Sequence, residues 1–129
     1  MKIEDVSALI IDDSEHIRAL FAMAMRKAGI DKAYQAVDGE EGIKKYKELK
    51  PSIVFLDNML PKLTGMEVLK QIKLLTPEAI VVMVSAVSNI ETVQEAKAQG
   101  ASYYIVKPYA PNKVIEVMFK LLNIEEKLP

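Results

Sequence analysis

Five short apolar runs, Val6–Ile11, Ala33–Val37, Ile53–Leu56, Ile80–Val84 and Tyr103–Val106, alternate along this chain with amphipathic segments of helical length. The second run is the weakest. Three of the others are almost wholly aliphatic and show no polar alternation, which is the pattern of parallel strands covered on both faces. No internal repeat or low-complexity tract breaks the sequence of elements.

The intervening segments carry helix punctuation. Ile17, Leu20, Phe21, Ala24 and Ala28 fall on one stripe, and Gly29 offers a stop after it. Asp38 with Glu41, Thr64 with Glu67, and Ser88 with Glu91 have the spacing of a capping box at a helix start. Gly100 closes the fourth segment, and Pro111 suits the first turn of the fifth. In that fifth segment Val114, Val117, Met118, Leu121 and Leu122 make the core arc. Phe119 falls at its edge, either as a packing residue or as a docking residue for a partner or a second copy. The expected fold class is α/β, a doubly wound (βα)5 three-layer sandwich with a five-stranded parallel sheet in the order 2-1-3-4-5. Ligands of such sheets bind beyond the carboxyl ends of the strands where the winding reverses, here above the first and third strands.

A chain of 129 residues suits one domain, expected over residues 1–123, with 124–129 as a short tail and no output domain. A net charge of −1 gives no basic field for nucleic acid. No stretch approaches the ~20 apolar residues of a membrane span, and the N-terminal apolar run is too short for a signal peptide. The chain has no cysteine, so disulfides and thiolate metal sites are excluded. The expected location is cytoplasmic.

Polar residues gather at the sheet edge that the topology marks. Asp12 and Asp13 end the first run and Asp57 ends the third, while Ser85 follows the fourth and Lys107 the fifth. Taken singly, each has an ordinary reading: capping of the first helix for the acid pair, a turn for Ser85, plain surface for Lys107. One helix cap does not explain a third carboxylate on another strand. Three hard oxygen donors with room for water are what Mg²⁺ prefers, whereas Ca²⁺ wants more ligands and a transition metal usually brings histidine or thiolate. The single histidine, His16, reads as surface. An acid cluster for a metal, a nucleophilic carboxylate, a hydroxyl and an ammonium together fit phosphoryl transfer to Asp57.

The motifs IIDDS (Ile10–Ser14), FLDNMLPKLTG (Phe55–Gly65), VSA (Val84–Ala86) and YIVKPY (Tyr104–Tyr109) occur in one order over essentially residues 4–122. On these the chain resembles a response-regulator receiver domain of the stand-alone type, similar to the chemotaxis regulators. The resemblance implies that Asp57 accepts phosphate from a phosphohistidine on a sensor histidine kinase. It implies a Mg²⁺ cofactor on Asp13, Asp57 and the Met59 backbone carbonyl, with Asp12 acting largely through water. Ser85 would hydrogen-bond the phosphoryl group, Lys107 would pair with it, Pro108 would be the family's usual cis-proline, and Tyr104 would be the aromatic switch. The expected partners are that kinase and a protein target on the face made by the fourth helix, fifth strand and fifth helix, with Phe119 at its margin. No nucleic acid or membrane is expected, and the protein would be a monomer or a weak phosphorylation-dependent dimer. It would be no enzyme beyond catalysing its own phosphorylation and dephosphorylation.

The output expected of such a chain is binding, most simply in chemotaxis or motility. The alternatives are a phosphorelay intermediate that hands phosphate to a histidine phosphotransfer protein, and a receiver cut from a longer transcriptional regulator. Met59 and Val87, two residues after Asp57 and Ser85, are apolar where some relatives are polar, so neither orients a hydrolytic water and a long-lived acyl phosphate is expected. A haloacid-dehalogenase-type phosphatase would need an acid where Met59 stands. A flavodoxin-like carrier would need a Ser/Thr/Gly-rich phosphate loop where DDSEHIR stands.

Overall fold

The computed structural model describes residues 1–124 of the chain. The aliphatic runs form β1 (Ser7–Ile11), β3 (Ile53–Leu56) and β4 (Val81–Ser85), and the weaker ones form β2 (Lys32–Ala36) and β5 (Tyr103–Val106). All pair in parallel in the order β2-β1-β3-β4-β5. The central position of β1, β3 and β4 accounts for their unbroken apolar sequence, since helices cover both faces. The edge strands β2 and β5 keep exposed or half-exposed residues and therefore read less clearly.

Between the strands lie α1 (Glu15–Lys27), α2 (Gly39–Leu49), α3 (Gly65–Leu75) and α4 (Ile90–Ala98), and α5 (Pro111–Leu122) follows β5. The strand period of two divides the interior into two cores. Ile10, Phe55, Val82 and Ile105 face α1 and α5, where they meet Phe21, Met25, Val114 and Met118. Leu9, Ile11, Leu56 and Met83 face the opposite helices and meet Ile43, Val68, Ile72 and Ala96. The three-layer expectation holds.

Local placements differ from the sequence reading in several places. Strand β2 begins and ends one residue earlier than expected, and Val37 lies beyond it, where its N–H donates to the Glu41 side chain at 3.2 Å. On α1 the expected stripe holds at Ile17, Phe21 and Ala28, but Met25 is buried beside them while Leu20 is 48% exposed. At α4 the cap is Asn89, one residue after Ser88; its side-chain oxygen accepts from the Thr92 N–H at 2.8 Å. The Asp38 and Thr64 caps fall where expected and accept from Glu41 and Glu67 N–H. Leu121 is only half-buried, and Phe119 packs against the core as a partly covered residue. Ile124, assigned to the tail from sequence, is buried in the same core; the rest of that tail lies outside the described residues.

Candidate acidic site at the carboxyl edge of the sheet

Strand β1 delivers Asp12 to the carboxyl edge, where its N–H still bonds to the Ala36 carbonyl at 3.1 Å. Strand β3 does the same for Asp57, whose N–H bonds to the Ile11 carbonyl at 3.0 Å. Both carboxyls are therefore mounted on backbone already fixed by its neighbours, and both are buried. Asp13, one residue on, is exposed. Carboxylate oxygens of Asp12, Asp13 and Asp57 lie within 4.8 Å of one another.

Lys107, at the end of β5, reaches across this crevice. Its Nζ stands 3.1 Å from Asp12 Oδ2 and 3.2 Å from Asp57 Oδ2. The remaining oxygens of these acids take backbone donors: Ser14 N–H bonds to Asp12 Oδ1 at 2.9 Å and Met59 N–H to Asp57 Oδ1 at 3.0 Å. Burial raises the Asp57 carboxyl above the ordinary carboxylate range, with the nearby Asp12 charge adding to it, against the opposing pull of Met59 N–H and Lys107. Burial disfavours the Lys107 ammonium, but the hydrogen bond to Asp12 and the charges of both acids outweigh it and leave its pKa raised. Lys107 thus stays charged through the neutral range. The peptide between Lys107 and Pro108 is cis.

Ser85 and Tyr104 stand beside the crevice and share one neighbour. Ser85 is fully buried, and its Oγ accepts from Val87 N–H at 3.2 Å. The Tyr104 hydroxyl donates to the Val87 carbonyl at 2.6 Å. The loop after β4 is therefore held from both sides of a single residue. Met59 is 62% exposed at the crevice rim, and His16 is exposed on α1.

Two groups escaped the sequence reading. Arg18 donates from Nη1 to the Asp12 carbonyl at 2.7 Å and from Nε to Gln35 Oε1 at 3.2 Å. A cation near the start of a helix opposes the dipole, and that misplaced charge was the available signal. Tyr109 packs edge-on against Phe21 with ring centres 5.9 Å apart. Burial, reinforced by the Asp12 charge, pushes its hydroxyl up to about 12.

The donor set fits a hard divalent cation. The clustered ligands are carboxylates alone, one of them exposed, which leaves positions for water and matches Mg²⁺ better than a metal that needs nitrogen or sulfur.

Comparison with known proteins agrees with the fold. The family model for the response regulator receiver domain matches residues 8–119. The chain is 38% identical over 113 residues to the chemotaxis protein CheY of Thermotoga maritima, covering 88% of this chain and 94% of that one. It is equally identical, 38% over 109 residues, to the alkaline phosphatase synthesis transcriptional regulatory protein PhoP of Bacillus subtilis, covering 82% of this chain but 44% of that one. Among solved structures, the CheX–CheY–BeF3–Mg²⁺ complex from Borrelia burgdorferi matches with a TM-score of 0.87 and 31% identity, over 92% of this chain and 90% of that one. With its parallel sheet in the order 2-1-3-4-5 and its acids at the switch point, the chain belongs to the response regulator receiver domain family.

Proposed function

We propose that Asp57 is a phosphoryl acceptor and that phosphorylation changes which protein this chain binds. The observation that supports this most is a buried strand-end carboxylate 3.2 Å from the Lys107 ammonium, with Asp12 and Asp13 clustered around it. An Asp57 oxygen attacks the phosphorus of a phosphohistidine on a sensor kinase. The P–N bond breaks, the electron pair stays on the imidazole nitrogen, and the ring regains a proton from solvent. Asp13 and Asp57, with the Met59 carbonyl and with Asp12 acting through water, would hold Mg²⁺, which supplies positive charge against the phosphoryl oxygens.

Lys107 is the chain's own cation for the product. Its ammonium is drawn from the acids toward the phosphoryl oxygens, since phosphorylation adds about −1.5 to −2 charges there. Ser85 has a hydroxyl proton free to donate, because its bond to Val87 uses the oxygen as acceptor. When Ser85 turns to the phosphoryl group it leaves Val87 N–H, and the loop that also anchors the Tyr104 hydroxyl is released. The face of α4, β5 and α5 changes in consequence. Backbone amide shifts with beryllofluoride and Mg²⁺ test this: the Ser85–Pro108 segment is expected to move, and its remaining still would refute the switch.

The output reading is binding in chemotaxis or motility, supported by the match to CheY over nearly the whole of both chains. A receiver from a longer transcriptional regulator is the second reading, supported by the equal identity to part of PhoP. Capture of partners with and without beryllofluoride separates them: a flagellar or receptor-array protein favours the first. The exposed, apolar Met59 and the Val87 side chain give a hydrolytic water no polar anchor. The acyl phosphate is therefore expected to outlast that of Met59→Asn, followed as release of inorganic phosphate.

A further inference from the structure

The three acids of the crevice are not held alike. Asp12 and Asp57 each have one oxygen on a backbone N–H and the other on Lys107. Among the described residues the Asp13 carboxylate accepts no hydrogen bond and joins no ion pair, yet it lies with the other two inside 4.8 Å. Its position must come from the backbone that carries it. That backbone leaves β1 through the peptide linking Asp12 to Asp13, and the carbonyl of this peptide is the one Arg18 grips at 2.7 Å.

The grip is itself braced. Arg18 sits on α1, where its own N–H bonds to the carbonyl of the cap residue Ser14 at 3.0 Å. Its Nε is held by Gln35 Oε1 on β2, and the Gln35 carbonyl in turn accepts from Lys45 on α2. The guanidinium is half-buried and is bonded to neutral oxygens rather than to a carboxylate. A planar fork that bonds two fixed acceptors sets an orientation, which a lysine ammonium does far less well.

We propose that Arg18 is a positioning residue of the acidic site: by pinning the Asp12 carbonyl it orients the peptide that places Asp13 for a divalent cation. The inference rests on the phosphoryl-acceptor reading above only for the identity of that cation. Two physical effects of removing Arg18 have opposite signs, which makes the idea decidable. If Arg18 mattered only as a nearby positive charge, its loss would remove repulsion and Mg²⁺ would bind more tightly. If it acts by orientation, its loss weakens binding. Residues one step behind the ligands typically change metal affinity by about 10- to 100-fold.

The test is Mg²⁺ titration of the unphosphorylated protein by calorimetry, on wild type, Arg18→Met, Arg18→Lys and Gln35→Leu. The expected result is affinity lowered about tenfold or more in Arg18→Met. Arg18→Lys keeps the charge and should recover only part of it. Gln35→Leu should shift affinity in the same direction by less, with no further loss when combined with Arg18→Met. Mg²⁺ affinity unchanged or raised in Arg18→Met, or fully restored in Arg18→Lys, would overturn the proposal. Should Arg18→Met fail to fold, the Lys and Gln35 variants carry the same signs. Absence of Mg²⁺ binding in wild type would instead count against the metal reading of the crevice.

Discussion

At the scale of single residues, Asp57 is a charge kept at a cost to the fold. Its raised pKa means that the folded protein binds the Asp57 proton more tightly than the unfolded chain does. Ionisation therefore opposes folding, and this burden is absent at low pH and appears as pH rises through the carboxylate range. Asp57→Asn should raise the melting temperature at neutral pH without metal, with the gap narrowing as pH falls and again when Mg²⁺ is added. A variant less stable than wild type at neutral pH would show that the Lys107 pairing outweighs burial. Gly65 is the second residue with a sharp requirement. A Cβ there would come within 2.2 Å of the Asp57 carbonyl oxygen and 2.5 Å of Asn58 Cα, both backbone atoms that cannot swing aside. Gly65→Ala should cost about 1–3 kcal/mol or more by denaturant unfolding, because the start of α3 must move away from the acceptor loop.

At the scale of elements, α4 is the loosest helix on the sheet. Only Ala96 is buried along it, and Ile90 is 73% exposed, whereas α3 buries Val68, Leu69 and Ile72. Hydrogen exchange should open α4 amides well before those of α3, and equal protection of the two helices would contradict this. Element by element, the strands were readable because β1, β3 and β4 are covered on both faces and cannot tolerate polar side chains. The α4 cap was misplaced by one residue because Ser88–Glu91 and Asn89–Thr92 both have capping chemistry. Only the backbone path after Ser85 decides between them. On α1 Leu20 and Met25 departed from the expected stripe. Leu20 and Met25 are both apolar, and what separates them is that Met25 joins the core with Phe55 and the α5 residues while Leu20 stays exposed. Arg18 was missed because its partners, Asp12 just past β1 and Gln35 on β2, lie in separate parts of the sequence.

At the scale of the molecule, the doubly wound topology itself makes the site. Reversal of winding between β1 and β3 brings Asp12, Asp13 and Asp57 to one crevice from positions far apart in sequence, and β5 brings Lys107 to the same place. The acids were legible because they end apolar runs. The sharing of Val87 between Ser85 and Tyr104 was not, since it depends on a loop with no periodic signal. Two separate cores fix the sheet from both faces, so under the proposed switch the loops and α4 are the parts expected to respond to a change at Asp57. The decisive measurement is chemical trapping of the acceptor. Protein treated with phosphoramidate and Mg²⁺, reduced with borohydride and digested should carry homoserine in place of Asp57, and nowhere else, as read by peptide mass spectrometry. Chelation of Mg²⁺ or the Asp57→Asn change should abolish the signal. A reduced acyl phosphate at another carboxylate, or none in the wild-type protein with Mg²⁺ present, would contradict the assignment of Asp57 as the phosphoryl acceptor.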